Sequence, residues 1–428
     1  MALGPEDLAA AANVLKTIYS PEELMLMLCM RRPFMAAIVK SDDFEGDFYK
    51  HTVQHGFNQS AGPTPAVAID TYSTNADARF SLERKRYYGY GKISREVMLA
   101  TRSDKGSVTR KYKQALDGMI KGLGRYLDFT VWSDGGGAYG RLSGVGVASG
   151  LLATQVRLAN LHGAIWIEPD QKHQFSVNTG FGGVQTVRQP GGGAEAAAST
   201  GITLTVANVN TRTGVITYTG AVPVAAGEVT VNDYVFRTRT KGLVLDGVRG
   251  WCPMDDTTAA AAFLGATRSV NIDRLSGQRW LDPLATYVET IREACAYAST
   301  LGNAGTSIFI NPMTQNKIEN SERDKVFKEE IGDLEIGFQV TKFQTPLGEL
   351  DMMADPAVPP GWAFVTDPKD WSFKHLGKMV GFFEEAGLLR RVHGEDNYDF
   401  EGGGYGNILT DAPGNSLWIK LDKNAQVV

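Results

Sequence analysis

Cysteine is scarce. The 428 residues hold three, Cys29, Cys252 and Cys295, odd in number and too far apart for a disulfide framework or a zinc knuckle. They read as reduced thiols of a cytosolic protein. Histidine, with six residues, is sparse for acid–base chemistry. No run reaches the roughly 18 apolar residues of a membrane span. The stretch MALGPEDLAAAANVLKTIY has no basic region ahead of an apolar core, so no secretory leader is expected. Basic charge is not in excess either: Lys and Arg number 43 against 48 Asp and Glu, a net charge of −5. That balance argues against a general nucleic-acid binder. Catalytic signatures are missing too, with no G-x-S-x-G, H-E-x-x-H or C-x-x-C. The glycine runs at Gly180 and Gly191 lack the Lys-Ser/Thr of a phosphate loop and read as turns. His51 and His55 have no third ligand beside them. The acidic stretches SDDFEGDF and HGEDNYDFEGGGYG lack calcium-loop spacing and read as solvated loops. An enzyme is not expected, nor a metal or a cofactor.

What the sequence does hold is an order of parts. Val108, Tyr112, Ala115, Met119, Leu123, Leu127 and Val131 recur at three- and four-residue spacing, which puts them on one helical face. The pattern predicts a helix over 107–132, about 39 Å long at 1.5 Å per residue, stopped by Gly135, Gly136 and Gly137. Inside it Gly118, Gly122 and Gly124 each weaken the helix by about 1 kcal/mol relative to Ala. Something is therefore expected to pack closely across them. Ahead of this helix, residues 5–18 read as a short helix. A second opens at SPEELMLMLCM, with Ser20 as N-cap, Pro21 at the first position and Glu23 completing a capping box. The RRPF that follows suggests an arm that docks on something else.

GDFYKHTVQHGFN and RFSLERKRYYGYGKISREV read as two strands of a long hairpin, joined by an exposed linker rich in Gly and Pro. A hairpin alone is marginal in water. Its aromatics, Phe48, Tyr49, Phe57, Tyr72, Phe80, Tyr87 and Tyr88, and its charge run, Glu83, Arg84, Lys85 and Arg86, call for a partner surface. Residues 178–232 carry only Arg188, Glu195, Arg212 and Glu228 as charges. GITLTV, VITYTG and EVTVNDYVF alternate there as strands, so 158–250 reads as a small inserted β domain. Helical signals resume with Asp282 as N-cap and Leu284, Val288, Ile291 and Cys295 as a stripe. The strand TSIFIN, a helix start at Asn311-Pro312, and strands in DLEIGFQVTKF, GELDMMA and GNSLWIKL follow. The class is α+β.

This order resembles that of tailed-bacteriophage major capsid proteins of the Hong Kong 97-like family. The resemblance is carried by residues 80–140, where the hairpin returns straight into the long helix and an Asp-Gly turn follows. It is carried also by VNDYVF before GLVLDGVRGWCP, by SIFINPMTQNKIENS, and by KFQTPLGELDMMADPAVPPGWAFVTDPKDWSF. It implies an N-terminal arm over 1–43, an extended hairpin loop over 44–100 and a spine helix with the start of a peripheral domain over 101–157. The insertion over 158–250, the rest of the peripheral domain over 251–330 and an axial domain over 331–428 complete it. It further implies a shell of hexamers and pentamers around double-stranded DNA, assembled in the bacterial cytoplasm. Portal, scaffolding and decoration proteins are the implied partners. Phe48, Tyr49, Glu83, Arg84, Lys85, Arg86, Tyr87 and Tyr88 become expected assembly contacts, and Gly118, Gly122 and Gly124 expected packing positions of the spine. Some members cross-link a loop Lys to a neighbour's Asn, but nothing aligns Lys50, Lys85 or Lys92 with that chemistry. A non-viral encapsulating shell of the same fold is the alternative, with a hydrolase or a β-rich adhesin behind it.

Overall fold

A computed structural model of the chain describes residues 32–94, 105–303, 305–321, 340–383, 390–391 and 396–425. The two expected N-terminal helices, and 333–339 of the expected strand DLEIGFQVTKF, lie outside the described residues. The long helix runs over Lys105–Val131, 27 residues, close to the predicted span. Leu116, Ile120, Leu123 and Leu127 are its buried stripe, at the spacing that one helical face requires.

Two mixed sheets form the body. One has the strand order 278–280, 417–420, 362–366, 307–310, 348–354, 340–345. Successive side chains point to opposite faces of a strand, and here each face has its own core. Ile308, Ile310, Ala363, Val365, Leu417 and Ile419 turn toward Ile291, Ala294, Cys295 and Ala298 of the helix Tyr287–Thr300. The intervening Phe309, Phe364 and Trp418 turn the other way, into the main core. That helix starts later than expected, because Thr286 rather than Asp282 accepts from the Glu289 amide as its cap. The Asn311 cap stands as read, with its Oδ1 accepting from Met313 N at 3.0 Å.

The second sheet is organised on the 14-residue strand Asn397–Thr410. Strands 371–375, 381–382, 390–391 and 85–94 all pair with it. EGGGYG, expected as part of a solvated loop, is therefore the middle of a central strand. Its glycines fit because backbone crowds them: a Cβ at Gly403 would sit 2.1 Å from the Tyr87 carbonyl.

Between the long helix and residue 240 the chain forms a closed barrel, with order 204–210, 215–218, 155–158, 138–145, 234–237, 172–176. Strands Ala138–Val145 and Gln155–Leu158 precede the boundary expected at Leu158. A barrel leaves no open edge, so both are needed to close it. Expressed alone, residues 136–242 should unfold cooperatively on heating. Residues 158–250, lacking two of the six strands, should not; a sharp transition in that shorter fragment would contradict the closure argument.

Candidate assembly surface

The hairpin shows how its residues divide between anchoring and exposure. Phe48–Gly56 pairs with Ala76–Glu83, and the chain then turns at Arg84 into Lys85–Ser94, which pairs instead with Asn397–Thr410. The stretch expected as one strand is thus two, on different partners. The base is held by its own chain. Phe80, fully buried, lies 5.0 Å from the Trp251 ring, and the amide of Ser81 donates to Leu264 O at 2.8 Å. Asn271 Nδ2 and Arg274 Nη1 both donate to the carbonyl of His55, at 3.1 and 3.2 Å.

Beyond that clamp the hairpin changes character. The short helix Pro65–Asp70 at its tip buries no residue. Phe57, Ile69 and Tyr72 are 60%, 73% and 63% exposed. Arg274 stacks on Phe57 at 4.3 Å and still leaves most of that ring in solvent.

The expected contact residues separate the same way. Tyr87 is buried and donates its hydroxyl to the Met379 carbonyl, so it is core and not surface. Tyr49 is half-buried beside Phe44, with ring centroids 6.0 Å apart. Arg84 pairs with Asp47 at 3.2 Å, and Lys85 with Glu83 at 2.9 Å. Two cations of the charge run, expected to meet acidic groups of another subunit, thus have acidic partners within the chain. Phe48, Tyr88, Glu83 and Arg86 remain exposed. The turn itself is tied down by Asn407, whose Nδ2 donates to Glu83 O and to Asp246 Oδ2 at 2.8 and 2.7 Å. Burial holds the Asp246 carboxyl above the usual range.

The glycines of the long helix also need correcting. Gly124 is buried, but a Cβ at Gly118 or Gly122 would meet nothing within 4 Å. The close approach is made by glycines facing the helix. Met119 fills a notch over the sheet, its Cγ only 3.0 Å from a Cβ built on Gly89 and its Cε 3.2 Å from one on Gly402. At the helix end Gly247 lies against three carbonyls, so a Cβ there would sit 2.2 Å from Val131 O, 2.5 Å from Thr130 O and 2.7 Å from Ser133 O. Backbone cannot yield as a side chain can. Gly247→Ala should destabilise the subunit by about 3 kcal/mol, and an unchanged urea midpoint would refute this.

Where the described chain begins, Arg32 Nε lies 3.4 Å from Asp128 Oδ2 on the long helix. Phe34 follows, fully buried among Trp132, Phe309 and Trp371 at 4.8, 5.2 and 5.7 Å. Asp355 closes the site, accepting from the amides of Phe34 at 3.4 Å and Ala357 at 2.9 Å. Burial pushes the Asp355 carboxyl up to about 6. Burial and the neighbouring Asp355 raise Asp128 well above the carboxylate range, with Arg32 pulling it back. Nothing in the sequence marked this pair, since the two carboxylates are 227 positions apart.

The family model of the SU10 major capsid protein matches residues 283–387, which hold the helix Tyr287–Thr300, four of the six strands of the first sheet and the start of the second. The match covers about a quarter of the chain. The described residues form an α+β fold. The chain is similar to the cyanophage A-1(L) capsid asymmetric unit, with 9% identity over 93% of this chain and 92% of that chain and a TM-score of 0.47. For the Gordonia phage Cozz structure the values are 10%, 92%, 87% and 0.39. For the major capsid and decoration proteins of phage G they are 9%, 92%, 89% and 0.40. No curated protein matches the sequence.

Proposed function

We propose that this chain is a major capsid protein of the Hong Kong 97-like fold, a structural protein rather than an enzyme, and that its copies close, through hexamers and pentamers, into an icosahedral shell around the double-stranded DNA of a tailed phage. Assembly takes place in the host bacterial cytoplasm, with a portal protein at one vertex and scaffolding and decoration proteins as further partners. In this reading the hairpin is the extended loop, Lys105–Val131 the spine and the barrel an inserted domain projecting from the shell. One observation carries it: a hairpin clamped at its base by its own chain and bare at an apolar tip. Such a tip is an interaction site awaiting a surface, and in a shell that surface belongs to the next copy. Many weak repeated contacts then add up to a closed container. The net charge of −5 suits a wall along which DNA must slide. Microscopy of the purified protein tests the reading: shells, sheets or capsomer rings are expected, and a monodisperse monomer at every concentration and salt would overturn it.

A further inference from the structure

A groove of about 680 Å³ runs between the long helix, strand Lys85–Ser94 and the barrel. It touches Arg86, Tyr87, Tyr88, Gly89 and Tyr90 in succession. Successive residues of a strand point to opposite faces, so the groove meets this strand along its edge. That edge is open. Among the described residues Lys85–Ser94 pairs with 397–406 alone, and no backbone bond reaches Arg86–Gly89 from the other side. An open edge is a template for one more strand. Across the groove the helix presents Gly118 and Gly122, where a Cβ would meet nothing within 4 Å. A second backbone therefore has room to lie close.

The charges that line the groove are nearly all of one sign. Arg86, Arg125, Arg237 and Arg239 stand against a single carboxylate, Glu168. Glu168 is held by Arg125. The other three arginines are exposed and have no carboxylate partner among the described residues. The chain's own strand edges do not suit such a rim. Val39–Ser41, Phe48–Gly56, Gln278–Trp280 and Val340–Thr345 are also terminal strands among the described residues. Each carries a Lys or Arg and no carboxylate, so like charges would meet. Ala76–Glu83, which carries both signs, is already held by Leu264 O at the Ser81 amide.

We propose that this groove takes an extended acidic segment of a partner protein, which joins the sheet as a further strand beside Arg86–Gly89. Its main chain completes the open edge, and its alternating side chains supply specificity. Those over Gly118 and Gly122 are small. Those on the Arg86 face are Glu or Asp, since opposite charges pair favourably across strands. A single-stranded nucleic acid would also meet arginines and tyrosines, but it has no row of amides and carbonyls to complete a strand edge. Binding of this kind needs only the subunit and does not depend on shell closure.

The test uses unassembled full-length protein and a fluorescent peptide of alternating Glu and Thr, with a Lys–Thr peptide as control. Anisotropy should show saturable binding of the Glu peptide and none of the Lys peptide. Arg86→Glu with Arg239→Glu should weaken the Glu peptide about tenfold or more and admit the Lys peptide. Gly118→Leu with Gly122→Leu fills the floor and should weaken binding about tenfold. Hydrogen exchange reads strand addition itself: amides within 86–89 should gain protection when the Glu peptide is bound. No saturable binding of the Glu peptide would overturn the site. Binding without new protection at 86–89 would overturn strand addition, and undiminished binding by the double glutamate variant would overturn the arginine rim. Displacement of the peptide by oligo-dT at lower concentrations than by unlabelled Glu peptide would overturn a peptide as the occupant. Dimers that the Glu peptide dissolves in sedimentation would assign the groove to a second copy and overturn the partner protein.

Discussion

Replacing residues 58–74 with a short Gly-Ser turn should leave the subunit folded and stop it from closing shells. The deletion removes no buried side chain, since every residue from 57 to 75 is exposed or only half-buried. It spares the strands Phe48–Gly56 and Ala76–Glu83, the Phe80–Trp251 contact and both bonds to the His55 carbonyl. The circular dichroism spectrum and urea midpoint should therefore stay within about 0.5 kcal/mol of the parent, as for surface changes away from special features. Assembly is different. Fully burying one large apolar side chain contributes about 1.5–3 kcal/mol, and Val67, Ile69 and Tyr72 all go with the tip. If only two of the three are buried in each contact, their loss costs about 3–6 kcal/mol, and every 1.4 kcal/mol is tenfold in affinity. Sedimentation should show only small species at concentrations where the parent makes shells. Normal shells from the truncated protein would remove the hairpin as the intersubunit arm.

The division between anchored base and bare tip was half legible. Alternation and aromatic content marked the strands, and the Gly-Pro linker marked the exposed tip, because those signals are local. Which aromatics face the core was not, since it depends on Trp251 and on strand Asn397–Thr410, both far along the chain. The break at Arg84 was hidden for the same reason: the residues on either side are good strand formers, and only their partners differ.

The glycines give the opposite lesson. Gly118 and Gly122 drew attention because a helix interior is costly for glycine. The glycines that permit close packing are Gly89, Gly402 and Gly247, which face the helix from strands and a turn, where glycine is unremarkable in sequence. Likewise EGGGYG had the composition of a loop. It is a strand because the carbonyls of Tyr87, Met379 and Lys374 crowd its glycines from neighbouring segments. The barrel was read from its charge-poor strands, but its first two lay outside that island of composition, and closure alone assigns them.

His173→Gln and Asp355→Asn should change the acid sensitivity of the folded subunit in opposite directions. His173 is buried in the barrel, its Nδ1 3.1 Å from the Tyr218 hydroxyl, and burial lowers it to about 3 from 6.5. His162, whose Nε2 donates to Ala357 O at 3.1 Å, is lowered by burial to about 4. Between pH 6.5 and 4 the unfolded chain binds protons that these native imidazoles refuse. Their contribution is complete above pH 6.5 and is lost as the pH falls, by about 3 kcal/mol each at pH 4. Asp355 runs the other way. Raised to about 6, it takes up its proton in the native state before the unfolded chain does, so acidification from pH 6 to 4 returns about 2 kcal/mol. Asp128, raised as well, adds to that return. The parent should therefore lose less stability on acidification than its buried histidines alone would take away. Removing the titration of His173 should make the subunit relatively more stable at pH 4 than at pH 7 by about 3 kcal/mol compared with the parent. Removing that of Asp355 should make it relatively less stable by about 2 kcal/mol. Urea unfolding of unassembled protein at pH 4, 5.5 and 7 measures both, and parallel curves for all three proteins would show that these buried groups do not carry the linkage.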